Sequence, residues 1–156
     1  MTEPAIAELA LADPAMIARQ PVTPHLVVRD ANAAIDFYKQ ALGATEAVRM
    51  PADDGKRLLH AEIHVEGARI FLADHFPEYC AQHGNEAVMP PTELKGTAVT
   101  MHLEVADCDA AVARAEAAGA IVTMEPWDAF WGARYGRVVD PFGHSWSFAH
   151  PLPAAT

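Results

Sequence analysis

The chain contains one segment twice, and this repeat limits the folds that are open to it. Residues 22–34 read VTPHLVVRDANAA and residues 99–111 read VTMHLEVADCDAA, so eight of the thirteen positions are identical at a spacing of 77 residues. Each copy alternates apolar and polar residues and then passes through an aspartate into an alanine-rich stretch, which is typical of a strand followed by a capped helix. The repeat therefore predicts two copies of one supersecondary unit that pack against each other.

Each copy of the repeat opens a longer unit with the same order of elements. Asp30 is a suitable N-cap for a helix over residues 31–42, and Gly43 is a suitable stop. Alternating apolar residues and turn signals then predict three further strands. We expect an α+β fold of two β-α-β-β-β modules. The predicted strands are 23–28, 45–50, 57–65 and 68–74 in the first module and 99–105, 120–125, 134–139 and 145–149 in the second, whose helix is 108–118.

The two modules are predicted to form a single domain. The arm before this domain is either a docked, partly helical segment or a mobile one. The linker between the modules contains several prolines and glycines, and loops of this length are usually functional or mobile. The expected boundaries are an arm at 1–21, the domain at 22–151, made of module one at 22–74, the linker at 75–97 and module two at 98–151, and a tail at 152–156.

The composition excludes several classes of partner. The net charge is -10 and the isoelectric point is near 5.1, whereas nucleic acids and anionic membranes select basic surfaces. The sequence has no run of about 18 apolar residues that would predict a membrane span, and its acidic N-terminus does not resemble a secretion signal. Two cysteines make no disulfide framework. We therefore expect a cytoplasmic protein that binds neither nucleic acid nor membranes.

Strand alternation divides the predicted sheets into an apolar face, which the helices cover, and a mixed face. Two sheets joined through their first strands would curl into a half-barrel with the mixed face as its concave lining. Polar side chains that converge in a concavity are typical of a small-molecule site. The mixed face carries Thr23, His25, His60, Glu62, His64, Phe71, Thr100, His102, Glu104, Ser145 and Ser147.

Several short motifs accompany this pattern, and with them the chain resembles the vicinal oxygen chelate superfamily of glyoxalases, bleomycin-resistance proteins and extradiol dioxygenases. The resemblance implies paired modules in a curved half-barrel sheet with helices on the outside. It also implies a homodimer, in which modules pair within one chain or across two. The motifs are DFY at 36–38, LGA at 42–44, AAGA at 117–120 and DPFGH at 140–144, with RMP at 49–51 and RYGR at 134–137 resembling the PhnB-like branch more narrowly.

The resemblance also identifies the positions at which superfamily enzymes hold a divalent metal, on the first and last strand of each module. In this sequence these positions are Thr23, about Phe71, Thr100 and Ser147. None of the four is a good ligand for a divalent metal, and phenylalanine cannot be one. The resemblance thus implies a protein without the usual metal site, which disfavours the glyoxalase mechanism because that mechanism depends on a Lewis acid.

Two displaced metal sites are alternatives. His25 and His102 lie two residues beyond the threonines on the same strand faces, and with Glu104 they would form a two-histidine, one-carboxylate site. The His-x-Glu-x-His stretch of residues 60–64 also shares one face, but neighbours on one face are about 6.8 Å apart, which is wide for one ion. The other interpretation of both groups is a polar wall of the pocket.

An aromatic loop is predicted at residues 126–132. It suits the stacking of a planar ligand, with an arginine to meet a carboxylate or phosphate. It is equally compatible with a loop that its own aromatic side chains hold on the sheet edge. The cluster consists of Trp127, Phe130, Trp131 and Tyr135, with Arg134 and Arg137 beside them.

The sequence therefore predicts a glyoxalase- or bleomycin-resistance-like protein that binds a small organic molecule in the concave cleft, with no cofactor assigned. The alternative is a lyase, isomerase or dioxygenase that binds a divalent metal through His25, His102 and Glu104. A structural dimer without a ligand would not explain polar residues on a buried face, which carry a desolvation cost. The predicted ligand-binding residues are His25, His60, Glu62, His102, Glu104, Trp131, Arg134 and Tyr135.

Overall fold

The computed structural model describes residue 15 and residues 19–154. Most of the predicted arm and the end of the predicted tail lie outside these residues. Eight strands and four helices have bounds within the described part, and they form the α+β fold of two β-α-β-β-β modules that the repeat predicts. No helix in this part of the chain is long and apolar enough to cross a membrane.

The first module consists of β1 His25–Val28, α1 Ala31–Leu42, β2 Thr45–Pro51, β3 Leu58–Val65 and β4 Ala68–Asp74. Its sheet has the order β1-β4-β3-β2. β1 runs parallel to β4, whereas the other neighbours are antiparallel. The short first strand therefore lies at one edge of the sheet, beside the last strand of its module.

The linker differs from its prediction because it contains two short helices, α2 Pro77–His83 and α3 Pro91–Leu94. Each begins with a proline in its first turn, which suits a position where no backbone N–H is needed. Neither helix has a side-chain cap at its start. Without a capping residue and with so few turns, these helices leave little trace in the sequence.

The second module repeats the first. It consists of β5 Thr100–Glu104, α4 Cys108–Ala118, β6 Ile121–Ala129, β7 Ala133–Val139 and β8 Ser145–Pro151. The sheet order is β5-β8-β7-β6, with β5 parallel to β8. The strands of the described residues thus form two four-stranded mixed sheets and no closed barrel, and β1 and β5 are both edge strands.

Aspartates fix the start of both long helices. The side chain of Asp30 accepts a hydrogen bond from the backbone N–H of Ala33, and Asp107 does the same for Ala110. Such caps satisfy N–H groups that have no partner within the helix. The buried carboxylate of Asp74 adds a second anchor in the first module, because it also accepts from the backbone of Ala31.

The two helices pack against each other and cover the apolar side of both sheets. Nearly all of the fully buried large side chains come from this layer, which makes it the common core of the two modules. Burial of such side chains contributes about 1.5–3 kcal/mol each. The largest of them are Tyr38, Phe148, Ile35, Ile63, Leu72, Val28, Val65 and Val138.

A buried aspartate in the Asp-Pro-Phe-Gly turn joins the modules. Asp140 accepts hydrogen bonds from Tyr38 Oη at 2.6 Å and from Trp146 Nε1 at 2.9 Å, as well as from two backbone N–H groups of its own turn. Burial, followed by the neighbouring carboxylate, raises the pKa of Tyr38 well above its usual value. His144, at the end of the turn, lies 3.0 Å from the carbonyl oxygen of Val27.

The predicted aromatic loop at residues 126–132 is shorter than expected. β6 continues to Ala129, because Trp127 and Asp128 pair with Tyr135 and Arg134 of β7. A register irregularity lies between residues 124 and 127 and accommodates Pro126, as bulges do for prolines in sheets. Only residues 130–132 form the turn.

Candidate functional site

The face of each sheet that is turned away from α1 and α4, here called the open face, carries the polar residues of the mixed pattern. On the first sheet, His25 of β1 lies opposite Phe71 of β4. The ring of His60 is 4.7 Å from that of Phe71 and 5.9 Å from that of His25, both edge to face. These spacings are those of favourable ring contacts, so the three side chains form one group, the His25 ring cluster.

Burial lowers the pKa of both imidazoles in this cluster. At His25 the loss of water is the larger cause and the nearby His60 the smaller, whereas at His60 the charge of Glu62 acts against the effect of burial. We expect both rings to be neutral at pH 7. Each then offers one N–H donor and one acceptor nitrogen to a bound molecule.

Glu62 and His64 form a separate pair on the same face. His64 Nε2 lies 2.7 Å from Glu62 Oε1. His60 packs against Phe71 instead. The His-x-Glu-x-His stretch therefore shares one face, as predicted, but its members divide between two contacts.

On the second sheet, both ring nitrogens of His102 are engaged. Nδ1 lies 2.7 Å from the hydroxyl of Ser147, and Nε2 lies 3.1 Å from a carboxylate oxygen of Glu104. The imidazole stacks on Tyr135 at 6.2 Å and 16°, and Trp131 meets the edge of Tyr135 at 5.5 Å. These three rings are the Tyr135 ring cluster.

The aromatic group continues from Trp131 to the end of the second sheet. Trp127 and Phe130 contact Trp131 edge to face at 5.5 and 5.0 Å. The ring of Phe130 remains 92 % exposed and that of Trp131 53 % exposed. The aromatic side chains therefore hold one another and still present ring surface to solvent, which is compatible with both interpretations.

Arg134 lies apart from the other predicted ligand-binding residues. Its guanidinium donates to both carboxylate oxygens of Asp109 on α4 at 2.8 Å and to Asp128 at 2.9 Å. These two carboxylates raise its pKa. Alternation along β7 explains the placement, because Tyr135 faces the open side and its neighbour in sequence faces the helix.

Two other arginines donate hydrogen bonds to the threonines at two of the positions where the superfamily resemblance would place a metal. Arg69 of β4 donates through Nη2 to the hydroxyl of Thr23 at 3.0 Å. Arg137 of β7 donates through Nη2 to the hydroxyl of Thr100 at 2.6 Å. Arg137 was predicted to lie beside the aromatic cluster but was not among the predicted ligand-binding residues, and Arg69 was missed altogether, although alternation from Phe71 and Tyr135 assigns both to the open face.

The residues at these positions do not fit a divalent cation. The two threonine hydroxyls accept hydrogen bonds from guanidinium groups, which would repel a cation, and the remaining positions carry Phe71 and Ser147. Among the described residues there is no group of three or more His, Cys, Asp or Glu side chains arranged to hold a metal. For the displaced site, the structure joins His102 to Glu104 but surrounds His25 with His60 and Phe71.

A mostly apolar cavity of about 330 Å³ adjoins the edge strands β1 and β5. His25 lies in its wall, which connects the cavity to the first ring cluster. Residues of the linker, including Val88, Met89 and Leu94, form the opposite side. The linker thus lies across a cavity beside the first strand of each module.

Comparison with known proteins gives a matching family model and several relatives. The model of the Glyoxalase/Bleomycin resistance protein/Dioxygenase superfamily matches residues 17–148. An uncharacterized protein of Mycobacterium bovis is 49 % identical over 131 residues, which cover 84 % of this chain and 83 % of that protein. An uncharacterized protein of Arabidopsis thaliana is 30 % identical over 132 residues, which cover 79 % of this chain and 73 % of that protein.

Solved structures have similar folds, and one of them is that of the same Arabidopsis thaliana protein. The X-ray structure of an Arabidopsis thaliana gene product has a TM-score of 0.63 and 29 % identity, covering 83 % of this chain and 97 % of that one. A glyoxalase/bleomycin resistance protein/dioxygenase from Nocardioides has a TM-score of 0.63 and 26 % identity, covering 88 % and 87 %. The chain belongs to the Glyoxalase/Bleomycin resistance protein/Dioxygenase superfamily.

Proposed function

We propose that this protein binds a small organic molecule with a planar, apolar part on its open faces, without the metal centre of superfamily enzymes. The observation that carries the proposal is the pair of ring clusters, one on each sheet, with partly exposed rings. Flat rings bind planar ligands with little loss of side-chain entropy, and neutral imidazoles add hydrogen bonds that orient them.

The predicted ligand-binding residues take different roles in this proposal. His25, His60, His102, Tyr135 and Trp131 supply the ring surface. Glu62 and Glu104 orient the neighbouring imidazoles through the hydrogen bonds described above. Arg134 holds the end of β7 to α4 and to β6 through its two carboxylate partners, which positions Tyr135 from behind.

Binding of a fluorescent planar anion, 8-anilinonaphthalene-1-sulfonate, tests the proposal. We expect saturable binding that weakens about two- to twelvefold in the Phe71→Ala and Trp131→Ala variants, because stacking on an aromatic ring is worth about 0.5–1.5 kcal/mol. The Tyr79→Ala variant is the control, since this ring is exposed on α2 and outside both clusters. Equal affinity in all four proteins would contradict the proposal.

A metal-dependent lyase, isomerase or dioxygenase remains a second candidate. The contact of 3.1 Å between His102 and Glu104 favours it, because it brings two of its three candidate ligands together. Elemental analysis of protein purified without chelator tests it, together with the His102→Ala variant. Stoichiometric metal that is lost in the variant would establish this candidate and overturn the metal-free proposal.

We also propose that the protein is a cytoplasmic homodimer of the PhnB-like branch. The exposed rings of Phe130 and Trp131 offer apolar surface at the end of one sheet, and such patches mark interaction sites. Light scattering coupled to size-exclusion chromatography should give twice the chain mass of 16.8 kDa. A mass equal to one chain at all concentrations would contradict the dimer.

A further inference from the structure

Two arginines on the open faces have no acidic partner among the residues that the structure describes. Arg69 is a buried residue, only 7 % exposed, and Arg137 is partly buried. The ion pairs of the part of the chain that the structure describes involve other arginines and leave these two out. Arginine is rarely buried in proteins unless it is paired, so both positions call for an explanation.

The protein itself satisfies these guanidiniums only in part. Each donates one hydrogen bond to a threonine, Arg69 to Thr23 and Arg137 to Thr100. A guanidinium has five N–H donors. The Nε atom of each arginine is buried and has no hydrogen-bond partner among the described residues. A structural arginine would normally be surrounded by acceptors, and the residues of known position supply few of them at either site.

Each arginine adjoins a ring cluster. The guanidinium of Arg69 lies 5.1 Å from the centre of the Phe71 ring, a cation–π distance. Arg137 lies two residues from Tyr135 on the same face of β7 and pairs with Ser147, which in turn contacts His102. Both modules therefore combine a partly exposed ring surface with a cation that has no counter-ion within the described part of the chain.

The carboxylates of the open faces do not supply that counter-ion. Glu62 is bonded to His64, and Glu104 is bonded to His102. Burying an unpaired charge is costly unless an opposite charge arrives. A bound molecule with an anionic group would supply that opposite charge.

We infer that Arg69 and Arg137 bind the anionic group of the ligand, so that the open faces select planar organic molecules that carry a carboxylate or a phosphate. The inference rests on the proposed function and specifies its ligand class. A guanidinium attracts an oxyanion through its charge and its paired N–H donors. Unlike a metal ion, it offers no site for a ligand exchange reaction.

Calorimetric titration with a matched pair of compounds tests the inference. 2-Naphthoate and 2-naphthamide have the same ring system and nearly the same shape, but only the former carries a charge. We expect wild-type protein to bind the naphthoate at least about tenfold more tightly, as hydrogen bonds to charged groups suggest. 2-Naphthyl phosphate in the same titration shows whether the site prefers a phosphate to a carboxylate.

Three variants assign the effect to these side chains. The preference for naphthoate should fall in Arg69→Gln and Arg137→Gln and disappear in the double variant, with the affinity for naphthamide changed less than threefold. Arg49→Gln is the matched control, because this arginine lies on the helix side of β2 and is paired with Glu46. The control should keep the full preference.

A thermal melt without ligand separates a binding role from a structural one. We expect the unfolding temperature of Arg69→Gln to equal or exceed that of the wild type, since the change removes a buried charge without a partner. A lower unfolding temperature together with an unchanged naphthoate preference would overturn the inference. Equal binding of naphthoate and naphthamide would overturn it while leaving the proposed function intact, and binding of neither would contradict both.

Discussion

At the scale of single residues, the lowered pKa values of His25 and His60 predict a dependence of stability on pH. In the folded protein burial lowers both values, so on acidification the unfolded chain binds protons first. Stability should therefore be fully present above about pH 6.5, the usual pKa of histidine, and should fall as the pH drops from there towards the folded-state values. Urea denaturation at pH 7.5 and 5.5 measures this loss.

Variants identify the histidines that cause the loss. The change between the two pH values should be smaller in His25→Gln and His60→Gln than in the wild type, because glutamine does not titrate. His83→Gln is the control, since this residue is exposed on α2, and its pH dependence should match the wild type. A loss of the same size in the two cluster variants would rule out this origin.

Single residues also show how much of the candidate site could be predicted from the sequence. Strand alternation placed His25, His60 and His102 on the mixed face, and the structure has them there. The same alternation separates Arg134 from Arg137, yet the predicted ligand-binding set contains Arg134, which faces the helix, and leaves out Arg137, which faces the open side. Arg69 could not be recognised as unusual from the sequence, because its lack of an acidic partner depends on residues distant along the chain.

At the scale of elements, the close contact between α4 and β7 predicts how a methyl group added at Gly136 changes the stability of the protein. A Cβ atom on Gly136 would lie 2.9 Å from Val112 Cγ2 and 3.4 Å from the carbonyl oxygen of Met124. Gly136→Ala should therefore destabilise the protein by about 1–3 kcal/mol, as overpacking of a core does. Chemical denaturation measures the free energy of unfolding.

A double variant shows whether the clash with the helix is responsible. Adding Val112→Ala to Gly136→Ala should make the combined loss smaller than the sum of the two single losses, because it removes the nearest atom. Gly96→Ala is the control, since nothing lies within 4 Å of its added Cβ, and it should stay within about 0.5 kcal/mol of the wild type. Additive losses in the double variant would place the strain elsewhere.

A helix or strand can be predicted from the sequence when the residues that determine its ends lie close to it in the chain. The structure confirms the predicted bounds of α1 and α4, because an aspartate before each helix and a glycine after it lie within a few residues of its ends. The extension of β6 past Pro126 depends instead on cross-strand partners in β7. Likewise, α2 and α3 lack capping side chains and depend on contacts of the linker.

At the scale of the whole molecule, the two modules are joined on the side away from the open faces. The helix layer and the Asp140 turn hold them together, whereas the first strands β1 and β5 remain edge strands beside a cavity. This division separates the core that joins the modules from the open faces, which carry the charged and aromatic side chains of the candidate site.

The junction at Asp140 predicts that both modules unfold as one unit. Tyr38→Phe should cost about 1–2 kcal/mol and Asp140→Asn more, about 2–4 kcal/mol, because the latter weakens every hydrogen bond that the buried carboxylate accepts. Hydrogen exchange should accelerate together in α1 of module one and in β8 of module two. Tyr79→Phe, on the surface of α2, should change neither. Faster exchange confined to β8 in the Asp140→Asn variant would mean that the modules open separately, and the junction would then not couple them.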